Sequence, residues 1–322
     1  MKAAIITAAG KTPVYEDFNE PVASEEKELI TVSASALSQF SKSRSSGSHY
    51  SSGDAFPSVA GADGVGRTAG GQRVYFVLPQ APYGALAEKA VVDSEHCVAI
   101  PDGLDDAPAA AIANPGMSSW AALVERAHLQ SGETVLVNGA TGTAGRIAVQ
   151  LAKYLGAGKV IGTGRNESEL AELLSLGADA VIPFALAPSR GAKLYEQRLI
   201  AEFAHGIDIV IDYLWGESAK TIIVAIAKAV EDAHPVRFVH VGGASREESI
   251  ELPGAALRSS AIQLMGSGIK SVPFPRLLDA VKNVFGVAMP AKLQIQTKTV
   301  PLSTIEENWG APGKPRIVVT IP

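Results

Sequence analysis

The sequence predicts an α/β protein in which a doubly wound, parallel sheet of six strands is combined with a second, β-rich part. Two observations carry this prediction. Between Gly116 and Gly266, strand-like apolar runs alternate with helical patterns, as they do in open parallel sheets with helices on both faces. In the first 115 residues, short apolar runs are separated by Gly, Pro and Ser clusters, a pattern typical of β structure.

The first 115 residues carry four of these short apolar runs. We predict strands at Ala3–Ile6, Leu29–Ala36, Arg73–Leu78 and Glu88–Val92. Residues 41–52, with the sequence SKSRSSGSHYSS, are dense in serine and predict a loop. Such a loop either has no function of its own or lines a ligand cleft.

The middle of the chain carries the alternating pattern, with helices predicted at Lys193–Ala204 and Ser218–Val230 among others. The six predicted strands are Thr134–Asn138, Lys159–Thr163, Ala180–Pro183, Ile207–Asp212, Val236–Val241 and Ile262–Met265. Ligands of such sheets bind beyond the carboxyl ends of the strands. We therefore expect the segments that follow these strands to form a binding site.

The tail of the chain predicts a helix at Leu277–Phe285 and strands at Leu293–Val300 and Pro315–Ile321. It contains no second glycine-rich pattern of the kind described next. The predicted organisation is one discontinuous domain, residues 1–115 and 267–322, with a second domain, residues 116–266, inserted into it.

The most specific motif lies in the stretch from Thr134 to Arg165, TVLVNGATGTAGRIAVQLAKYLGAGKVIGTGR. Its order of strand, glycine turn, helix and strand is that of a Rossmann-type dinucleotide-binding unit. In such a unit Gly139 supplies the sharp turn, Gly142 leaves room for the pyrophosphate, and Gly145 lets the helix pack close to the strand. The pyrophosphate is held at the helix N-terminus.

The end of the second strand of this unit indicates which dinucleotide binds. An NAD site usually places Asp or Glu there, about 20 residues beyond the glycines. This strand ends in Gly164-Arg165-Asn166, and an arginine can grip the 2′-phosphate of NADPH with two N–H groups. NADPH is therefore favoured, and the competing interpretation is that Arg165 is a solvated loop residue. Asn166 also has the position of a helix cap, with Glu169 as its partner.

Further cofactor contacts are expected from the segments that follow the other strands, the last of them near the nicotinamide half. The predicted cofactor-binding residues are Gly139, Ala140, Thr141, Gly142, Thr143, Ala144, Gly145, Gly164, Arg165, Asn166, Tyr213, Gly242, Gly243, Gly266 and Ser267.

The composition excludes several classes of protein. The 322 residues are 47% hydrophobic and 19% charged, which suits two domains with large cores and argues against disorder. A net charge of −5 argues against nucleic acid or an acidic membrane as partner. A lone cysteine, Cys97, forms no internal disulfide and no cysteine-rich zinc site. Without a signal pattern or a run of 18 apolar residues, a cytoplasmic location is expected.

Seven segments of the chain follow one another in a characteristic order and spacing: MKAAIITAAG, FPSVAGADGVGR, YGALAEKAVV, IPDGLDDAPAAAIANPGMSSWAAL, SGETVLVNGATGTAGRIAVQLAKYLGA, LLSLGADAVI and GKPRIVVTIP. In this order they resemble the medium-chain dehydrogenase/reductase superfamily, and specifically its zinc-free, zeta-crystallin-like quinone oxidoreductase branch. The resemblance implies a Rossmann NADP(H)-binding domain at 116–266 and a GroES-like catalytic domain at 1–115 and 267–322. It also implies a homodimer that pairs through the strand Ile262–Met265.

Zinc-dependent members of the superfamily hold a catalytic zinc with an early Cys, a His and a later Cys. Ser38, Ala62 and Asn114 occupy those places here, so the resemblance implies no metal. Asp63 stands where the family has an acid beside the histidine, and without a metal we expect it to be structural.

The chain also departs from the quinone oxidoreductase pattern. Serines at positions 38, 41 and 43 stand in place of an Asn, an Asp and a Tyr near the nicotinamide, and Phe184 replaces a Tyr near the adenosine phosphate. These changes leave the cofactor prediction intact and put the substrate in doubt.

A chain of this kind implies hydride transfer from NADPH to a quinone or an α,β-unsaturated carbonyl, which accepts hydride without a Lewis acid. The developing oxyanion needs only a hydrogen bond or two. Tyr50 is the leading candidate donor, Ser38 and His49 are alternatives, and water can also deliver the proton. An ordinary loop tyrosine is the competing interpretation of Tyr50. His240, which ends a strand, is interpreted as a packed strand histidine or as a residue near the nicotinamide.

Two functions of different classes remain open at the level of the sequence. The first is an NADPH-dependent quinone oxidoreductase or enone reductase. The second is an NADPH-binding sensor or structural protein with little turnover, for which the serine substitutions at positions 38, 41 and 43 are the argument. A zinc alcohol dehydrogenase is disfavoured because its ligand residues are missing.

Overall fold

The computed structural model describes residues 1–22, 24, 26–45, 47, 56–184 and 191–322. The strands are β1 (Lys2–Ile6), β2 (Val14–Asp17), β3 (Lys27–Ala36), β4 (Ser58–Val59), β5 (Asp63–Thr68), β6 (Arg73–Val77), β7 (Lys89–Asp93), β8 (Cys97–Ala99), β9 (Thr134–Asn138), β10 (Lys159–Gly164), β11 (Ala180–Pro183), β12 (Ile209–Asp212), β13 (Pro235–His240), β14 (Ala261–Gly266), β15 (Thr297–Pro301) and β16 (Arg316–Thr320). The helices are α1 (Gln39–Ser45), α2 (Asp106–Trp120), α3 (Thr143–Tyr154), α4 (Glu167–Ser175), α5 (Gly191–Phe203), α6 (Gly216–Ala229), α7 (Gly254–Arg258), α8 (Phe274–Ala288) and α9 (Ile305–Trp309). Single 3₁₀ turns lie at Ser94–His96 and Leu302–Thr304, and a π-helical turn at Ala121–Arg126 continues α2.

The chain folds into two compact units. Unit 1 is Met1–Pro115 with Val281–Pro322, and unit 2 is Gly116–Ala280. The second division falls at 280/281 rather than at the predicted 266/267. The reason is a small apolar cluster in which Val272 and Leu277 bury themselves against Ala121 and so join unit 2. The assignment of one unit to the substrate and the other to the nucleotide stays a prediction.

Unit 1 is built from two sheets. The larger has the order β15-β16-β3-β5-β6-β8, with β7 also paired to β3, and the smaller has the order β2-β1-β4. Its pairs are antiparallel except for β15 with β16. Ile30, Phe76, Leu86 and Val319 are almost completely buried in its main core.

Unit 2 is a six-stranded sheet with the order β11-β10-β9-β12-β13-β14, in which every neighbouring pair is parallel. Helices connect the strands, so the predicted α/β fold with a doubly wound sheet is confirmed. The central strands are continuous apolar runs because both of their faces are covered. In β9, for example, the residues from Val135 to Val137 are fully buried.

The helices α5 and α6 cover one face of this sheet. Phe203 of α5, Ile222 of α6 and Phe238 of β13 belong to one buried apolar cluster. Both helices are amphipathic, which explains why their pattern was visible in the sequence. The strand order reverses between β9 and β12, and this reversal is where a sheet of this type opens a ligand crevice.

The sequence was less informative about the tail. The predicted strand Leu293–Val300 begins only at Thr297, because Leu293 donates its N–H to the carbonyl of Ala288 at 2.9 Å and so closes the end of α8. Among the described residues, no helix combines the length and the apolar character that crossing a bilayer requires.

Candidate functional site

Two glycines shape the loop that follows β9. Gly139 has a φ of +82°, a left-handed conformation that a side chain would strain. A Cβ on Gly145 would lie 2.4 Å from the carbonyl oxygen of Gly139 and 2.6 Å from Cα of Ala140. The first turn of α3 therefore packs directly on the loop backbone. The sharp turn and the close packing that the glycine spacing predicts are both present.

The middle glycine, Gly142, leaves space open. It is the N-cap of α3, and it gives the first turn no side-chain hydrogen bond. A Cβ there would meet only the carbonyl oxygen of Gly139, at 3.4 Å, and the first turn of α3 has no acidic residue. The N–H groups and the positive dipole end of a helix favour an anion at such a place. We call the loop from Gly139 to Gly145 the glycine cradle. It fits a pyrophosphate, and it includes Thr141, Thr143 and Ala144.

In the segment at the end of β10, Gly164 packs against the glycine loop, Arg165 is exposed and Asn166 caps the next helix. A Cβ on Gly164 would lie 2.7 Å from Cγ2 of Thr141, so this strand end lies against the glycine loop. Asn166 caps α4, because its side-chain oxygen accepts hydrogen bonds from the N–H groups of Ser168 (3.0 Å) and Glu169 (3.2 Å). The predicted cap is thus confirmed. Arg165 is exposed, and it makes no ion pair with any residue that the structure describes.

A buried polar network, which the sequence did not reveal, lies under these loops. Asn138, at the end of β9, donates to a carboxylate oxygen of Asp212 at 2.8 Å and accepts from the hydroxyl of Thr163 at 2.7 Å. All three side chains are fully buried. The network therefore joins the carboxyl ends of β10, β9 and β12. The only sequence signal was a polar residue at or near the end of each apolar run.

Asp212 also fixes the loop after β12. Its carboxylate accepts hydrogen bonds from the N–H groups of Leu214 (3.1 Å) and Trp215 (3.1 and 3.2 Å). Between Asp212 and Leu214, the hydroxyl of Tyr213 lies 2.7 Å from that of Ser119. Burial raises the pKa of Tyr213, against the opposing effect of this hydrogen bond. Tyr213 is thus held as a neutral, buried phenol.

The remaining predicted contacts belong to the loops after β13 and β14. Ala244 donates its N–H to the carbonyl of Tyr213 at 3.0 Å, and Ser267 donates to the carbonyl of His240 at 2.8 Å. Gly243 and Gly266 have open space where a side chain would stand. The structure therefore brings the segments 139–145, 164–166, 213, 242–243 and 266–267 to the same carboxyl edge of the sheet.

Arg146, in the first turn of α3, also makes contacts that the sequence did not reveal. Its Nε donates to the carbonyl of Thr141 at 3.3 Å, and its Nη2 forms an ion pair with Glu172 of α4 at 2.7 Å. Arg146 thus connects the glycine loop to α4, whose N-cap, Asn166, directly follows Arg165.

Unit 1 contains the predicted residue Ser38. It is 4% exposed; its oxygen accepts the N–H of Ser41 at 2.8 Å and lies 3.1 Å from the Ser41 hydroxyl, to which it donates. Ser41 in turn donates to Asp63 at 3.2 Å, and Tyr75 donates to the other carboxylate oxygen at 3.1 Å. Ser38 is thus one end of a buried chain of hydroxyl groups. Tyr50 and His49, the other candidate donors, lie outside the described residues.

Asp63 is the charged centre of that chain. Burial raises the pKa of its carboxyl, while the guanidinium of Arg316 and the hydroxyls of Tyr75 and Ser41 oppose the shift. Arg316 is itself 7% exposed, and burial lowers the pKa of its guanidinium. Across the described ranges, no group of three or more His, Cys, Asp or Glu side chains is arranged to hold a metal ion.

The chain is similar to several known oxidoreductases. A family model described as zinc-binding dehydrogenase matches residues 144–283. A probable NADPH-dependent quinone reductase, tdiC of Emericella nidulans, is 28% identical over 279 residues, which are 77% of this chain and 77% of that protein. A quinone oxidoreductase of Pongo abelii is 32% identical over 176 residues, 52% of this chain and 53% of that protein.

A solved structure has the same fold. The quinone oxidoreductase of Thermus thermophilus, determined also in complex with NADPH, superimposes with a TM-score of 0.81 at 24% identity and covers 99% of this chain and 100% of that one. The chain is therefore similar to quinone oxidoreductases, and these findings support a quinone oxidoreductase-like protein of the medium-chain dehydrogenase/reductase type. It is an oxidoreductase that uses a nicotinamide cofactor.

Not all relatives of this quinone oxidoreductase-like chain have its size. The chain spans only 3% to 8% of the length of several polyketide synthases that it also matches. The glycine cradle at the N-terminus of α3 is the part of the structure that fits the pyrophosphate of the cofactor. The other predicted contacts with that cofactor stay predictions.

Two glycine substitutions separate the roles of the loop. We expect Gly142→Ala to keep its thermal stability and to bind NADPH about tenfold more weakly or worse, since a methyl group would occupy the phosphate space. Gly145→Ala should instead lose about 1–3 kcal/mol of stability, because its Cβ meets backbone. Isothermal titration and thermal unfolding measure both effects.

The control for this pair is Gly286→Ala, in α8, where a Cβ meets nothing within 4 Å. Wild-type affinity in Gly142→Ala would contradict the assignment of this loop to the pyrophosphate.

Proposed function

We propose that this protein is a zinc-independent, NADPH-dependent reductase that transfers a hydride to a quinone or an α,β-unsaturated carbonyl compound. The observation that carries the proposal is the glycine cradle before α3, followed by a strand end that bears Arg165 and no carboxylate. The relatives named as quinone reductases support the same substrate class.

NADPH rather than NADH is proposed because of the residues at the end of β10. Arg165 is exposed, and Asn166 rather than Arg165 supplies the cap of the following helix. The guanidinium is therefore available for the 2′-phosphate, with which it can form two charge-assisted hydrogen bonds. Glu167, the nearest carboxylate, lies inside the first turn of α4.

Bound NADPH supplies a hydride, and the protein orients it and stabilises the charge that forms on the acceptor. A conjugated carbonyl spreads this charge over its π system, so one or two hydrogen bonds replace the Lewis acid that simple ketones need. Tyr50 and Ser38 are the proposed donors. Ser38 donates its only hydroxyl hydrogen to Ser41, so it would serve as a donor once this hydrogen turns from Ser41 to the acceptor.

The absence of a catalytic metal is proposed from the residues at the three ligand places. Ala62 has no donor atom, and Ser38 and Asn114 carry neither a thiol nor an imidazole. The description of the matching family as zinc-binding does not alter this chemistry. The second hypothesis, an NADPH-binding sensor or structural protein, has no support among the relatives.

Turnover is the direct test of the proposed function. The purified protein should oxidise NADPH in the presence of simple quinones or enals, as followed by the loss of reduced-nicotinamide absorbance. Addition of a strong chelator should leave the rate unchanged. Tight NADPH binding without turnover of any acceptor in the panel would restore the sensor hypothesis.

Arg165→Ala tests the choice of cofactor. We expect the affinity for NADPH to fall about tenfold or more while the affinity for NADH stays within about twofold, because only NADPH carries the 2′-phosphate. Arg258→Ala, which removes an exposed arginine from α7, is the control. Equal losses for both dinucleotides would contradict a 2′-phosphate contact.

A homodimer formed through β14 and a cytoplasmic location complete the proposal. β14 pairs only with β13 within the described sheet, which leaves its outer edge open to a second copy, and Leu264 on it is 42% exposed. Leu264→Glu should convert a dimer to a monomer in sedimentation, whereas Leu174→Glu, at a similarly exposed leucine of α4, should not. A wild-type monomer would contradict the dimer. Fractionation of cells tests the location.

A further inference from the structure

His240 ends β13 with one ring nitrogen occupied and the other available. Its Nδ1 lies 2.8 Å from a carboxylate oxygen of Asp212, and its side chain is 35% exposed whereas Asp212 is fully buried. No residue in the described part of the chain forms a hydrogen bond with its Nε2. Nε2 is therefore open to solvent or to a ligand.

The partners of Asp212 determine where the ring carries a proton. The carboxylate receives hydrogen bonds from donors only: the amide of Asn138 and the backbone N–H groups of Leu214 and Trp215. A carboxylate accepts and does not donate, so His240 meets it with Nδ1–H. Nε2 therefore turns away from Asp212, free to accept a hydrogen bond from an O–H or N–H group of a ligand.

Trp215 packs against the imidazole ring of His240. The two ring centroids are 4.6 Å apart, with the planes tilted by 47°. Trp215 holds a φ of +62°, which a bulky residue adopts only when its surroundings enforce it, and its N–H is held by both oxygens of Asp212. Strained backbone that serves to place one side chain against another is typical of binding sites.

The strand order assigns a part of the cofactor to this place. The glycine cradle follows β9 and Arg165 follows β10, so the adenosine half belongs to that side of the reversal. In a sheet of this type the dinucleotide crosses the reversal, and its second half extends over the ends of β12 and β13. His240 ends β13, and its carbonyl is bonded to the N–H of Ser267 in the next loop.

We propose that Nε2 of His240 accepts a hydrogen bond from the nicotinamide half of the bound dinucleotide, from a hydroxyl of its ribose or from its carboxamide. Asp212 and Trp215 act as positioning residues for this contact. The inference rests on the proposed use of NADPH and adds to it a binding residue outside the glycine loop.

His240→Asn is the decisive variant, because the shorter amide keeps a donor near Nδ1 for Asp212 and removes Nε2. Its dissociation constants are measured by titration calorimetry with three ligands: NADPH, 2′-phospho-ADP-ribose, which lacks the nicotinamide, and adenosine 2′,5′-bisphosphate, which lacks the whole second half. His240→Gln, which places an amide near Nε2, is the matched variant.

We expect His240→Asn to bind NADPH about three- to tenfold more weakly than the wild type, because one hydrogen bond to the cofactor is lost. Its affinity for the bisphosphate should equal that of the wild type. A parallel loss with 2′-phospho-ADP-ribose assigns the contact to the ribose, and no loss there assigns it to the carboxamide. His240→Gln should recover part of the NADPH affinity.

Two results would overturn the inference. Unchanged NADPH affinity in His240→Asn would show that Nε2 touches no cofactor group. An equal loss for all three ligands would show that His240 only supports the fold. If the wild-type protein bound neither NADPH nor the bisphosphate, the proposed function itself would fail, a result distinct from both.

Discussion

The hydrogen bonding of the buried Asp212 carboxylate is the interaction on which the carboxyl edge of the unit 2 sheet depends. The carboxylate receives the side chains of Asn138 and His240 and the backbone N–H groups of Leu214 and Trp215. A carboxylate without water is costly unless each oxygen is hydrogen-bonded, and breaking such a buried arrangement typically costs about 3–5 kcal/mol. These partners come from the two strands on either side of β12 and from the loop that follows β12. The hydrogen bonds to the Asp212 carboxylate thus hold together the sheet edge at which the cofactor is expected to bind.

The loop after β9 and the loop after β12 obtain their conformations in different ways. The glycine loop after β9 is shaped by missing side chains, because Gly145 leaves room for backbone packing and Gly142 leaves room for an anion. The loop after β12 is shaped by side chains that bond to it, with Tyr213 joined to Ser119 and Trp215 held against His240. The first arrangement suits phosphates, which bind backbone N–H groups, and the second suits groups that need directed hydrogen bonds.

The sequence predicted the parts of this molecule that follow from local patterns. The strands β9 and β11 have the bounds that their apolar runs indicated, and the cap at Asn166 follows from its side chain. Asp212 and His240 are 28 residues apart in the chain, and their contact depends on the order of the strands, which apolar periodicity does not encode. The compact unit 2 extends to Ala280, and the packing of Val272 with Ala121 in its apolar cluster is likewise a contact that no local pattern encodes.

The cap at Asn166 has an evolutionary consequence. Because Asn166 starts α4 through its own side chain, the neighbouring Arg165 carries no part of the fold. A residue that does not stabilise the fold can be substituted without a loss of stability, so selection at this position can act on ligand binding alone. If Arg165 holds the 2′-phosphate as proposed, a substitution at this one position would change the preference between the two dinucleotides while the sheet and its buried carboxylate stay as they are.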